Sequence, residues 1–259
     1  MTGVLPLAGR RILVTRTREQ AEGLVDRLHG LGASVIVVPL IATEPIATPE
    51  AILRSSNEVR ASPPPRWAAF TSATAVRLVL GAAGAEVVDG MQVAAVGAAT
   101  AGALSEAGVI VDLVSAGPDA TALADALLAR GVAGATVWLP SAEAAATALP
   151  AALRAGGATV IVQPVYRSVM PAAAPDRLRS ALETGIDAIT LTSGSSARNL
   201  RAALGDEHLP SGAVIVCIGE QTASEARVSG FSVGAVATEA SAEGLVAAVT
   251  GQFTPQRLR

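Results

Sequence analysis

The sequence predicts an α/β protein of two similar lobes, each a parallel sheet flanked by helices, the two joined by a two-stranded hinge. Three observations carry this. Short apolar, β-rich runs alternate with helix-length segments along most of the 259 residues, as in strand–helix–strand crossovers of a parallel sheet. The chain also repeats itself: GASVIVVP at residues 32–39 returns as GATVIVQP at 157–164, and the same offset pairs Leu24 with Leu149 and Leu28 with Leu153. Finally, each copy runs into a proline-marked extended stretch, PLIATEP after the first and PVYRSVMP after the second. Proline stops a helix and holds its predecessor extended, which suits two strands crossing side by side between lobes.

The elements follow in order. Residues 11–15 (RILVT) form a strand, and residues 18–31 have helical spacing through Ala21, Leu24, Val25 and Leu28. Gly32 ends that helix, and residues 35–38 make the next strand. A first crossing covers residues 40–45, followed by a helix near 49–54 and a turn at SPPPR. Strands are then expected at 68–70, 93–96, 109–114 and 136–139, with helices from the Thr71–Ser72 turn to Leu80 and at 98–107, 120–129 and 142–155. The strand at 160–162 feeds the second crossing. Beyond it the modules return: LTS at 191–193 matches FTS at 70–72, Ile218-Gly219 with Thr222-Ala223 matches Val96-Gly97 with Thr100-Ala101, and Gly230 with Val233 matches Gly108 with Val111. Near-constant offsets across three modules mark an internal duplication.

The order of the repeats sets the architecture. Sequential lobes would divide near residue 133, but the GVAG link there runs straight into a strand and is poor linker material. Both crossings fall where an inserted lobe needs them. The expected lobes are therefore residues 1–39 with 172–259, and residues 46–163, with crossings at 40–45 and 164–171. Each lobe is flavodoxin/Rossmann-like.

Composition narrows the function. Apolar residues make up 51% and aromatic residues 2%, so the cores are built from Ala, Val and Leu. All 19 basic residues are arginine, which excludes a Schiff-base lysine. The net charge of −3 and the lack of a basic run speak against nucleic acid. A lone Cys217 in AVIVCIG is a buried strand residue, with no partner for a disulfide or thiolate cluster. His29 and His208 are isolated. No metal cluster, phosphate loop or dinucleotide fingerprint occurs, so no metal and no cofactor is expected. No long apolar stretch suggests a membrane span, and MTGVLPLAGRR is not built like a signal peptide. A cytoplasmic monomer is expected, and the tail after Val249 is too short for an added DNA-binding domain.

In a parallel sheet every strand-to-helix turn opens at the carboxyl edge, where ligands bind. Those turns repeatedly carry hydroxyls: Thr15, Thr71 with Ser72, Thr100, Ser141, Thr192 with Ser193, and Thr222. Each is also a natural helix cap. Helix N-termini favour anions, and Arg16, Arg18 and Arg198 lie on or beside such turns. The pattern fits a cleft for a polyanionic small molecule. Tyr166, the sole tyrosine, stands on the second crossing.

The ordered set ILVTR (12–16), GASVIVVPLIATEP (32–45), FTSATAV (70–76), VAAVGAATAGALSEAG (93–108), VYRS (165–168), LTSGSSA (191–197) and IGEQTASEA (218–226) resembles the uroporphyrinogen-III synthase family over nearly the whole chain. The resemblance implies a lyase of heme biosynthesis that needs no metal or cofactor. Linear hydroxymethylbilane loses its hydroxyl, and the resulting electrophile closes through a spiro intermediate that inverts ring D. It further implies Tyr166 as the catalytic residue and Ser72, Thr100, Ser193 and Thr222 as contacts to a polycarboxylate tetrapyrrole, received by transient handover from the preceding enzyme. Arg16, from its place on the first turn, is expected to bind the same substrate. Thr17 stands where proline often follows VTR in the family, and Thr74 where many members have a larger polar side chain. The competing classes are a binding or regulatory protein of the same fold without turnover, and a two-lobed solute-binding protein.

Two thin crossings between lobes imply relative motion. Solution scattering should show compaction when product is added; superimposable curves would count against a hinge.

Overall fold

The computed structural model describes residues 5–253 apart from 118 and 146, together with all side chains in that range except those of Arg18 and Glu19. The first four residues and the last six, considered above for a leader and an appended domain, lie outside it. Contacts divide the chain into two compact units, Met1–Ala42 with Val169–Arg259, and Thr43–Ser168.

The first unit opens with strand β1 (Arg11–Val14), helix α1 (Arg18–Gly30) and strand β2 (Ser34–Val37). Strand β3 (Ala42–Pro45) leads to α2 (Pro49–Ala61), β4 (Arg66–Phe70) and α3 (Ala73–Ala83). After a 3-10 turn at Ala85–Val88 come β5 (Gln92–Val96), α4 (Gly97–Glu106), β6 (Leu113–Ser115) and α5 (Ala120–Ala129). Strand β7 (Thr136–Ala142), α6 (Ala148–Ala155) and the long β8 (Thr159–Val169) follow. The remaining elements are α7 (Ala174–Glu183), β9 (Ala188–Leu191), α8 (Gly194–Leu204), β10 (Val214–Cys217), α9 (Glu220–Val228), β11 (Val233–Val236) and α10 (Ala242–Phe253).

One sheet has the order β11-β10-β9-β1-β2 and the other β3-β8-β7-β4-β5-β6. The pairings β2-β1-β9-β10-β11 and β8-β7-β4-β5-β6 are all parallel. Strand for strand these are the same sheet, so the repeat visible in sequence is a repeat of topology: β2 and β8 are equivalent, as are β9 and β4. The helix ends match as well. In α1 the Gly32 N–H donates to His29 O and Ala33 N–H to Leu28 O; in α6 Gly157 N–H donates to Arg154 O and Ala158 N–H to Leu153 O. This pair of bonds needs a left-handed residue just past the helix, and Gly32 and Gly157 supply it at φ 91° and 87°.

Each sheet is covered on both faces. In the first unit α7, α8 and α9 bury one face and α1 with α10 the other. In the second, α2, α3 and α4 lie over Phe70, Trp138 and Val165, while α5 and α6 lie over Val137, Leu139 and Val160. Alanines 68, 69, 94 and 95 are fully buried in β4 and β5, so helices approach this sheet closely. Phe70 and Trp138 meet edge to face, 6.4 Å between centroids, in the preferred geometry for aromatic pairs.

Three local expectations give way to what the chain does. Residues 142–155 are not one helix: β7 runs on to Ala142 by pairing with β8, and α6 starts only at Ala148. The strand expected over 109–114 shrinks to Leu113–Ser115, because β6 has only β5 to pair with and Ile110 projects into solvent, 83% exposed. The helix at 49–54 continues to Ala61, through Ile52 and Val59, which reach the core.

Asp187 joins β9 to the start of β1: its Oδ2 accepts the Arg11 N–H and its Oδ1 takes Arg10 Nη1, both at 2.8 Å. Burial alone would raise the carboxyl's pKa, but the Arg11 N–H and the Arg10 guanidinium outweigh it and hold the group below its usual value. A depressed carboxylate stabilises the fold above its unfolded pKa of about 3.9 and loses that contribution as pH falls through the folded value. Asp187→Asn should therefore lower stability by about 1–2 kcal/mol at pH 7. The gap to the parent should close below about pH 4 in acid titrations of thermal melts.

Candidate active site

In both sheets the strand order reverses beside the first strand of the repeat, between β1 and β9 in one unit and between β7 and β4 in the other. Such reversals leave a crevice at the carboxyl edge, the usual ligand position in open α/β sheets. The candidate residues gather at these two edges. In the first unit Arg16 follows β1, Ser193 follows β9, and Thr222 lies in the first turn after β10. In the second, Ser72 follows β4, Thr100 lies in the first turn after β5, and Tyr166 belongs to β8.

The edge hydroxyls have unequal uses. Thr15 is buried and donates to Thr190 O at 2.8 Å, pinning β1 to β9. Ser72 and Ser193 are N-caps, accepting from Ala75 N–H and Ser196 N–H at 3.1 Å each; Ser193 completes a reciprocal capping box with Ser196. Ser141 Oγ donates to the Ala142 carbonyl. Thr100 and Thr222 differ from all of these. They are 4% and 5% exposed, and among the described residues neither hydroxyl has a hydrogen-bond partner. They do not cap: the N-caps of α4 and α9 are Val96 and Gly219, and neither helix has a side-chain cap. Two equivalent helices thus keep their first N–H groups free of side chains, with one unspent hydroxyl in each first turn.

Tyr166 owes its position to a bulge. Along β8, Val160 packs on the α5–α6 face and Ile161 on the α2–α4 face. Strict alternation would put Tyr166 with Val160. Instead the register slips: Ser141 pairs with Pro164 and Ala142 with Tyr166, leaving Val165 as the extra residue. Val165 and Tyr166 both pack against the α2–α4 core, as the local disruption of a bulge allows. The Tyr166 carbonyl accepts Glu143 N–H at 2.8 Å, and the Val165 carbonyl accepts Ile46 N–H at 3.0 Å. Glu44 takes Arg167 through two bonds of 3.0 Å; the index on β3 rises as that on β8 falls, so this pair runs antiparallel. The bulge brings Tyr166 Oη to 3.3 Å from Ser72 Oγ.

Charge at the edges is sparse. Arg16 is half-buried and has no ion-pair or hydrogen-bond partner among the described residues. Arg198 is committed: its guanidinium meets Glu225 at 3.0 Å and Ser195 Oγ at 3.1 Å. The side chain of Arg18 lies outside the described set. Burial pushes the Cys217 thiol up to about 11, so it is protonated at neutral pH and unsuited to attack. His29 bonds its own loop at Ala33 O, 3.0 Å. Among the described residues no group of three or more His, Cys, Asp or Glu could hold a metal, and no helix is long and apolar enough to cross a membrane.

One feature has no forerunner in the sequence pattern: a cavity of about 270 Å³ at the β7 edge, lined by Thr71, Leu139, Ser141, Leu149, Arg154 and Val162 among others. It lies on the α5–α6 side, away from the Tyr166 ring. Its lining includes Ala142, Glu143 and Ala145, which precede the start of α6 at Ala148.

Fold and edges together define a two-unit, duplicated α/β protein with anion-compatible helix N-termini and one phenol set by a bulge. The family described as uroporphyrinogen-III synthase HemD matches residues 22–247; the chain belongs to that family. A relative from Ruminiclostridium josui, the porphyrin biosynthesis protein HemD, is 29% identical over 228 residues, covering 86% of this chain but 44% of that protein. The chain thus spans less than half the length of that curated relative. Two solved structures share the fold. A mutant uroporphyrinogen III synthase from Thermus thermophilus has a TM-score of 0.60 at 21% identity, covering 95% of this chain and 100% of that one. Uroporphyrinogen-III synthetase from Helicobacter pylori has a TM-score of 0.62 at 14% identity, covering 94% and 99%.

Because their hydroxyls are unspent, Thr100→Val and Thr222→Val should melt at or above the parent temperature. Ser72→Ala and Ser193→Ala should each lose about 1 kcal/mol with their caps. A marked loss in either valine variant, measured by calorimetry, would show a hydrogen bond in solution that the structure does not contain.

Proposed function

We propose that the protein is a uroporphyrinogen-III synthase, a cytoplasmic lyase that cyclises hydroxymethylbilane with loss of water and inversion of ring D. The family match over residues 22–247 carries this reading. The edge chemistry supports it: each unit, taken by itself, offers donors suited to carboxylates. In the first these are Arg16, which has no partner among the described residues, with Ser193 and Thr222; in the second, Thr100 and the N-terminus of α4, which has no side-chain cap. The substrate is a polycarboxylate tetrapyrrole, passed on by the enzyme that makes it.

Tyr166 acts on the leaving group. As the pyrrole electron pair expels the hydroxyl, the phenol passes its proton along its hydrogen bond to the departing oxygen, which leaves as water, and the proton released when the closing ring carbon regains its aromaticity returns to the phenolate. The cationic electrophile left behind is attacked by the substituted carbon of ring D, the spiro intermediate opens, and ring closure gives the inverted isomer. Spontaneous closure needs no inversion and gives the type I isomer, so the protein's contribution is read directly as the ratio of type III to type I product.

Tyr166→Phe keeps the ring and its packing and should cost at most about 1–2 kcal/mol of stability. Turnover should fall roughly ten- to a thousandfold, the range for one acid or electrostatic contact, and product should shift from type III to type I. The assay supplies hydroxymethylbilane and separates the isomers. A folded Tyr166→Phe protein with unchanged turnover and isomer ratio would remove the phenol from the mechanism. A parent protein that yields only type I would overturn the function.

A further inference from the structure

We infer that Ser72 is a positioning residue that acts through Tyr166: it donates its proton to the phenol oxygen and thereby turns the phenol's own proton outward to the leaving hydroxyl. The inference rests on the synthase reading and changes the role of Ser72 from substrate contact to orienter of the donor.

The hydrogen-bond count points this way. Ser72 Oγ accepts Ala75 N–H at 3.1 Å and has one proton to give. Its only other partner among the described residues is Tyr166 Oη at 3.3 Å. Tyr166 Oη has no second partner there. Two arrangements are open. If the phenol donated, two donors would converge on Ser72 Oγ and the serine proton would have no acceptor. If the serine donates, a head-to-tail chain forms from Ala75 N–H to Ser72 O–H to Tyr166 O–H. Each bond in such a chain polarises the next, and the chain ends in a phenol proton aimed away from the protein. The positive end of the α3 dipole adds to it, since it draws the serine lone pairs toward the helix and sends the proton the other way. The separation of 3.3 Å is longer than a tight O–H···O bond of about 2.7–2.8 Å; such contacts commonly tighten once substrate is bound.

Two features make the device depend on this pair. The bulge at Val165 is what brings the ring to the α3 side. The equivalent serine of the other unit, Ser193, caps α8 in the same way but meets no tyrosine: its bonds go to Ser196.

The test uses four full-length proteins: parent, Ser72→Ala, Ser72→Asp and Ser72→Thr. Aspartate keeps the helix cap but can only accept, so it reverses the bond and draws the phenol proton inward. Because Tyr166 is the sole tyrosine, the Raman doublet of the phenol ring reports its hydrogen bonding without interference. The doublet ratio should fall from the parent to Ser72→Asp, as the oxygen changes from acceptor to donor. Ser72→Ala, which adds no charge, should lower kcat about tenfold or more with KM within about twofold, and raise the type I share. Ser72→Thr should restore kcat and isomer ratio. A parent doublet that is already donor-weighted and unchanged in Ser72→Asp overturns the proposal, as does a folded Ser72→Asp protein with parental kcat. If the parent makes no type III product while the doublet shift is still seen, the synthase reading fails and the hydrogen-bond direction stands.

Discussion

Parallel pairing is the constraint on which this molecule depends. When all strands of a sheet point one way, every strand-to-helix turn falls on one edge and every helix begins there. A residue two or three positions beyond any strand is then a residue of the same rim, however far it lies in sequence. Arg16 and Ser193 are neighbours in this sense because β1 pairs with β9. Ser72 and Glu143 are neighbours because β4 pairs with β7. The duplicated topology applies the same rule twice.

Within that rim the hydroxyls separate by their bonding. Those of Thr15, Ser72, Ser141 and Ser193 hold backbone in place. Those of Thr100 and Thr222 have no partner among the described residues, although both residues are nearly buried. Neither oxygen is shut off from solvent, since among the described residues Trp138 Nε1 is the buried side-chain atom without a partner, so both hydroxyls are open to a ligand at equivalent positions of two modules. The same contrast applies to arginine: Arg198 is bound to Glu225, whereas Arg16 has no partner among the described residues.

The fold class is legible in the sequence because its signals are local and repeated. GASVIVVP and GATVIVQP become β2 and β8 at the same station of each sheet, and Gly32 and Gly157 close the preceding helices with the same two bonds. What escapes is settled by pairing. β6 is short because it has one neighbour, and β7 is long because β8 accompanies it to Ala142; neither fact is written in the segment itself. Tyr166 can be singled out from sequence as the one tyrosine on a proline-flanked run. The side of the sheet it takes cannot, since parity along β8 gives the wrong face until the slip at Val165 is known. The adjacent apolar pair Val165-Tyr166, which breaks alternation, is the one trace of the bulge that the sequence carries.

That bulge makes the location of the phenol a matter of counting. Tyr166 stands an even number of residues from Val160 and still takes the opposite face, because the pairing skips Val165. Most changes of residue type at Val165 leave the count intact. The loss of a single residue between Val162 and Tyr166 would remove the bulge and still leave the phenol opposite Ala142 on the α2–α4 side, in step with Ile161; closing the slip at unchanged length, with Ala142 opposite Val165, is what would carry it to the α5–α6 side, far from Ser72. In this stretch the face of the phenol is set by the register of the pairing, and neither chain length nor side-chain chemistry fixes it alone.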